Sequence, residues 1–162
     1  MTAREEGVRW LDAEEQSVWR SLLRAQSRIE EELDRDLQAR SGVGLVEFGI
    51  LVALSEAPGM RMRMRVLADS VIVSKSRLSH QITRLERAGY VRREPCEEDR
   101  RGFWAILTDQ GLEVLRAAAG GHVTRVRERV FDRLTREQVR QLGAVMRLLE
   151  PGDGAGGGPN PR

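Results

Sequence analysis

The sequence predicts a mainly α-helical chain with one small β-hairpin. Two observations carry this expectation. Apolar residues recur at three-, four- and seven-residue steps along most of the 162 residues, the period of helices that bury one face. One main stretch, Tyr90 to Leu107, breaks that period with two β-rich runs around a polar segment. Apolar residues at 40% and charged residues at 32% make the chain globular, and aromatics at 4% argue against an aromatic-rich barrel or sandwich.

Asp12 to Arg40 reads as one long helix. Its stripe is Trp19, Leu22, Ile29, Leu33 and Leu37, with Ala25 filling in and acids covering the other faces. The stripe needs a partner, either the chain's own core or a second subunit. Ser41-Gly42 stops this helix. Leu45 to Ala57 is a second helix with Phe48, Leu51 and Leu54 on one face, ended by Pro58-Gly59. Met60 to Arg65, MRMRMR, alternates by twos and reads as a short edge strand with arginines outward or as a basic loop.

Arg65 to Ser70 is a short helix and Ser74 to Ala88 a stronger one, with Leu78, Ile82 and Leu85 as its stripe and Gly89 closing it. Tyr90–Arg93 and Phe103–Leu107 are the hairpin's strands, and Glu94–Gly102 is its charged turn. Thr108 is placed to cap the next helix, whose stripe runs from Leu112 to Val130 across Gly120-Gly121, a pair that permits a bend. Thr135 and Gln138 have capping-box spacing ahead of a last helix striped by Val139, Leu142, Met146 and Leu149. Pro151 ends it. The glycine-rich tail follows no strand and opens no helix, so it lacks the context of a phosphate loop.

Net charge is only +2, but it is unevenly spread. From Arg61 to Arg101 there are 11 basic and 6 acidic residues, a local +5, against −3 for the remainder. A basic middle between mildly acidic ends suits a module that meets a polyanion with its centre. The order short helix, turn, helix, hairpin is the winged helix-turn-helix arrangement, whose second helix enters the DNA major groove.

At about 100° per residue, Arg77, His80, Gln81, Arg84 and Arg87 share one side of the Ser74–Ala88 helix, away from the leucine stripe. These donors suit base edges and phosphates. Ser74 is the candidate N-cap, and with Lys75 and Ser76 it stands where free backbone N–H groups attract phosphate. Arg100 and Arg101, at the hairpin's charged tip, can reach a narrow minor groove, with Asp99 orienting a neighbouring arginine.

These residues, LADSVIVSKSRLSHQITRLERAGYVRRE followed by DRRGFWAILTDQG, resemble the MarR family of transcriptional regulators. The match is close from Leu67 to Gly111 and looser from Asp12 to Glu150. The resemblance implies a triangular homodimer that binds double-stranded DNA as a repressor on a pseudo-palindromic operator. It implies dimerisation helices at 12–41 and 109–150 around a DNA-binding lobe at 45–108, as one domain over 12–150. Residues 1–11 form an N-terminal extension and 151–162 a flexible tail. Asp99 and Arg101 match the family's paired wing residues. Ile72 departs from the glycine that many members carry in the turn, and Ile tolerates positive φ poorly.

The resemblance also allows a small-molecule effector between the two lobes. Trp10, Trp19 and His122 are the conceivable contacts, Trp19 being more core-like and His122 a polar position. Some members sense oxidants through a first-helix cysteine. Here the single cysteine, Cys96, falls in the wing, so redox sensing is not expected.

Enzyme chemistry finds little support. HExxH, a nucleophile elbow and a P-loop are all missing from the sequence, and one cysteine with two histidines supplies no thiolate or metal cluster. No cofactor or metal is expected. No run approaches the ~18 apolar residues of a membrane span. The start, MTAREEGVRWLDAEEQ, has charges where a signal peptide needs an apolar run, so a cytoplasmic location is expected. The alternative is a winged-helix module that binds protein without specific DNA binding, which would not need a basic recognition face and wing arginines together.

Overall fold

A computed structural model of the chain describes residues 8–71, 73–96 and 99–149, and for 99–101 the backbone alone. Ile72 and the tail at 151–162 lie outside the described residues. The chain divides after His122 into two compact units.

The first unit begins with α1, Ala13–Ser41. Asp12 and Glu15 form a reciprocal capping box, each carboxylate accepting the other's backbone N–H at 2.8 and 2.9 Å. Gly42, at φ +68°, closes the helix and donates to the Gln38 carbonyl at 3.0 Å. Only Leu33 and Leu37 of α1 are buried. Trp19, expected to be core-like, is 52% exposed, and Val18, Leu22 and Leu23 are exposed beside it. The physical reason is length: 29 residues span about 43 Å, and the unit's core meets only the helix's C-terminal part.

That core is built around α2, Leu45–Glu56, which buries Phe48, Ile50, Leu51 and Leu54. One 3₁₀ turn, Pro58–Met60, leads into β1, Arg61–Arg63. The alternating MRMRMR run is thus a strand where it pairs, before Met64 opens α3, Met64–Ser70. Next comes α4, Lys75–Arg87, packed through Leu78, Ile82 and Leu85. Ile50, Leu51, Leu54, Leu67, Leu78 and Ile82 are each no more than 1% exposed. Full burial of such a side chain contributes roughly 1.5–3 kcal/mol, so α2, α3 and α4 hold one another in place.

The hairpin is β2, Val91–Cys96, with β3, Asp99–Leu107, in a three-stranded antiparallel sheet ordered β1-β3-β2. Both hairpin strands are longer than the sequence suggested. Pairing continues through Glu94↔Trp104 and Pro95↔Phe103, with an irregularity at Pro95/Cys96. Pro95 is tolerated because β2 is an edge strand, where a missing N–H breaks no inner ladder. Asp99, Arg100 and Arg101 therefore open β3 instead of lying in a turn that extends from Glu94 to Gly102. Their side chains, and the tip at 97–98, lie outside what is described.

Thr108 Oγ accepts from the Gly111 N–H at 3.0 Å and caps α5, Asp109–Arg129. Gly120 and Gly121 lie inside this helix without breaking it. The second unit carries α6, Arg136–Leu149, entered through the reciprocal Thr135–Gln138 capping box at 2.9 and 3.2 Å. No residue of α6 is buried.

Candidate nucleic-acid interface

The surface suited to a polyanion centres on α4. Ser74 is its N-cap, the hydroxyl accepting the Arg77 N–H at 3.3 Å. The following backbone N–H groups point out of the helix start with nothing acidic in the first turn. Because Leu78, Ile82 and Leu85 fix the inward face, Ser76, His80 and Arg87 fall nearly opposite them, with Arg77 and Arg84 on one flank. Lys75, Ser76, Arg77, His80 and Arg87 are exposed, and Gln81 is half-buried. The fold thus brings Ser74, Lys75, Ser76, Arg77 and His80 together on the first two turns. An ammonium, a guanidinium, hydroxyls and an imidazole at a helix N-terminus can bond phosphate oxygens and base edges.

Arg84, expected among the outward donors of α4, is engaged by an acid of α2. Its Nε lies 2.9 Å from Oε1 of Glu47, and its Nη2 3.4 Å from Oε2. Glu47 is 3% exposed, and its Oε2 also accepts the Gly44 N–H at 2.9 Å, which caps α2. The guanidinium is half in solvent but already engaged. Glu47 was not found from sequence. The available signal was a lone acid within the apolar run LVEFGILVAL.

On the other flank of α4, Glu86 holds Arg93 of β2, accepting its Nε at 2.8 Å and its backbone N–H at 2.9 Å. Arg93 Nη2 also donates to Thr83 Oγ1 at 3.1 Å. The hairpin is therefore tied directly to α4. On the outer face of the sheet, the guanidinium carbons of Arg61 and Arg63 lie 4.8 and 5.2 Å from the centre of the Trp104 ring. The backbone of Asp99, Arg100 and Arg101 opens β3, and the expected roles of their side chains fall outside the described residues.

A cleft of about 1620 Å³ opens within the first unit, lined by residues of the Gln26–Asp34 part of α1, of α2 and of β1, and by Arg77, Trp104 and His122 among others. Of the three conceivable effector contacts, His122 lines it, and Trp10 and Trp19 do not. The His122 ring lies 4.5 Å from that of Phe48. Burial pushes its pKa below the ordinary value, and the Asp36 carboxylate partly opposes this. Its Nδ1 has no hydrogen-bond partner among the described residues. Cys96 is buried in the hairpin, an environment that keeps a thiol from solvent oxidants. Among the described residues, no group of three His, Cys, Asp or Glu side chains could hold a metal ion, and no single helix is long and apolar enough to cross a membrane.

Comparison with known proteins agrees with this geometry. The model of the MarR family matches residues 41–102. The chain is similar to Sco3205, a MarR family transcriptional regulator from Streptomyces coelicolor solved in complex with DNA. The identity is 50%, over 92% of this chain and 96% of that one, with a TM-score of 0.85. It is also similar to AbsC, a MarR family regulator from the same organism, at 46% identity over 88% and 95% of the two chains, with a TM-score of 0.80. It shares 29% identity with the HTH-type transcriptional regulator PecS of Dickeya dadantii, over 86% of this chain and 84% of that protein.

Proposed function

The chain belongs to the MarR family of DNA-binding transcriptional regulators, and from that premise we propose that it acts as a cytoplasmic, ligand-responsive repressor, working as a homodimer on a pseudo-palindromic operator. Each protomer lays the first two turns of α4 in a major groove. Lys75 and the backbone at Ser74–Ser76 meet phosphate, while Ser76, Arg77, His80 and Gln81 meet base edges. Arg100 and Arg101, oriented by Asp99, follow the neighbouring minor groove from the wing. The apolar side chains exposed on α1, and separately those on α6, meet a second copy. A small-molecule effector occupies the cleft beside His122.

The observation that carries this reading is on α4. Three buried apolar residues hold it against the core, while its exposed N-terminal turns present Lys75, Ser76, Arg77 and His80 together. A protein-binding winged helix has no need of that set.

The reading is tested by footprinting the purified protein on the DNA upstream of its own gene. Two protected half-sites are expected, centred about 10 base pairs apart or a multiple of that, because a two-fold pair of recognition helices must meet the same face of the duplex. Protection of a single asymmetric site, or none above random DNA, would contradict it.

A further inference from the structure

We infer that Glu47 is a specificity-determining positioning residue, whose ion pair with Arg84 sets the rotation of α4 and holds Arg84 back from the DNA. The inference rests on α4 being the helix that enters the major groove.

Among the described residues, Glu47 is the one buried charged side chain. A carboxylate in that setting is strongly destabilising unless its oxygens are bonded. Oε1 takes Arg84 Nε, and Oε2 takes the Gly44 N–H together with Arg84 Nη2. Releasing Arg84 to a base or phosphate would strip Glu47 of its counter-charge while leaving it out of water. Arg84 thus contributes more by staying.

The second grip on α4 comes from Arg93 through Glu86 and Thr83. Arg84 and Glu86 are about 200° apart around the helix, on opposite sides of the face formed by Leu78, Ile82 and Leu85. An apolar face alone resists small rotation weakly. Two ion pairs flanking it do not, because a rotation of about 20° moves a side chain at a radius of about 6 Å by roughly 2 Å, enough to break a hydrogen bond. The same 2 Å would carry Arg77 and His80 off the base edges they address.

The test measures affinity of the full-length protein for its operator, for singly mutated operators and for random duplex, at several salt concentrations, with melting temperature alongside. The variants are Glu47→Gln, Arg84→Gln and the double variant. Each is expected to lower the ratio of operator to random binding by about tenfold. The double variant should lose no more than either single, because both remove one coupling. The dependence of affinity on salt should stay as in wild type, since no phosphate contact is lost.

Arg84→Gln leaves Glu47 unpaired and is the variant most prone to misfold. The double variant removes both charges while keeping an acceptor for Gly44, so it gives the answer if the single does not fold. A loss of specificity and of salt slope in Arg84→Gln, with Glu47→Gln unchanged, would overturn the inference and make Arg84 a DNA contact. Wild-type specificity in the double variant would also overturn it. A wild-type protein that fails to prefer its operator would overturn the assignment of α4, and this inference with it.

Discussion

Replacing Leu142 and Met146 together by glutamate is expected to yield a folded protomer that binds the operator at least ~100-fold more weakly than wild type. The expectation comes from where the apolar surface lies. No residue of α6 is buried, and Leu142, Val145, Leu148 and Leu149 are 38%, 49%, 84% and 63% exposed. Charges placed there disturb no core position, so the core around α2 and α4 should stand. A second copy that covers this face would be displaced by four glutamates per dimer, each costly to bury unpaired. Two half-sites engaged by one dimer gain affinity through effective concentration, worth about 10²–10⁴-fold when the geometry fits, and a monomer forfeits that gain. Sedimentation velocity with operator titration checks both parts. A variant that stays dimeric, or a monomer that binds as tightly as wild type, would contradict the role given to α6.

Gly111→Ala is expected to destabilise the protein by about 3 kcal/mol, or to prevent folding. Gly111 is buried in the first turn of α5. A Cβ built there would lie 2.1 Å from the Tyr90 carbonyl oxygen and 2.9 Å from Leu107 Cδ1. The first of these is main chain at the start of the wing and is tethered: the Thr108 N–H donates to that same carbonyl at 3.1 Å. Relief requires α5 and the hairpin to separate. Gly49 supplies the internal control. It too is helical, on α2 facing the cleft, but a Cβ there meets nothing within 4 Å. Gly49→Ala is therefore expected to stabilise by roughly 0.5–1 kcal/mol, through reduced freedom of the unfolded chain. Thermal denaturation of the two variants decides. Equal melting temperatures would show that the close approach at Gly111 is not what docks α5.

These contrasts mark what the amino-acid sequence could and could not reveal. Helix ends were legible because a cap is a bond between residues three apart. The caps expected at Ser74, Thr108 and Thr135 bond Arg77, Gly111 and Gln138, each three positions on. The buried stripe of α4 was legible for the same reason.

What depended on distant partners was not. MRMRMR could be read as strand or loop because the decision lies with Trp104, Ala105 and Ile106, some 40 residues on. The hairpin reads shorter in the sequence than it is, because ladder pairing carries its strands past Pro95. Arg84 reads as an outward donor of α4, but its pairing with Glu47 has no local sign, since the two stand 37 positions apart. Trp19 shows the remaining limit: periodicity reports an apolar face, 52% exposed at this residue, without reporting whether the core or a second subunit covers it.

The reading of α4 is tested most directly by the sequence preference of Arg77→Ala. Arg77 is exposed on the first turn of the helix, and among the described residues its side chain forms no ion pair. Affinities should be measured for wild type and Arg77→Ala on the operator and on operators changed at single base pairs, at matched salt. Arg77→Ala is expected to lose about 1–3 kcal/mol on the intact operator and to become indifferent to the base at one or two positions of each half-site. If it binds every sequence with wild-type affinity and preference, α4 does not meet the bases in this register.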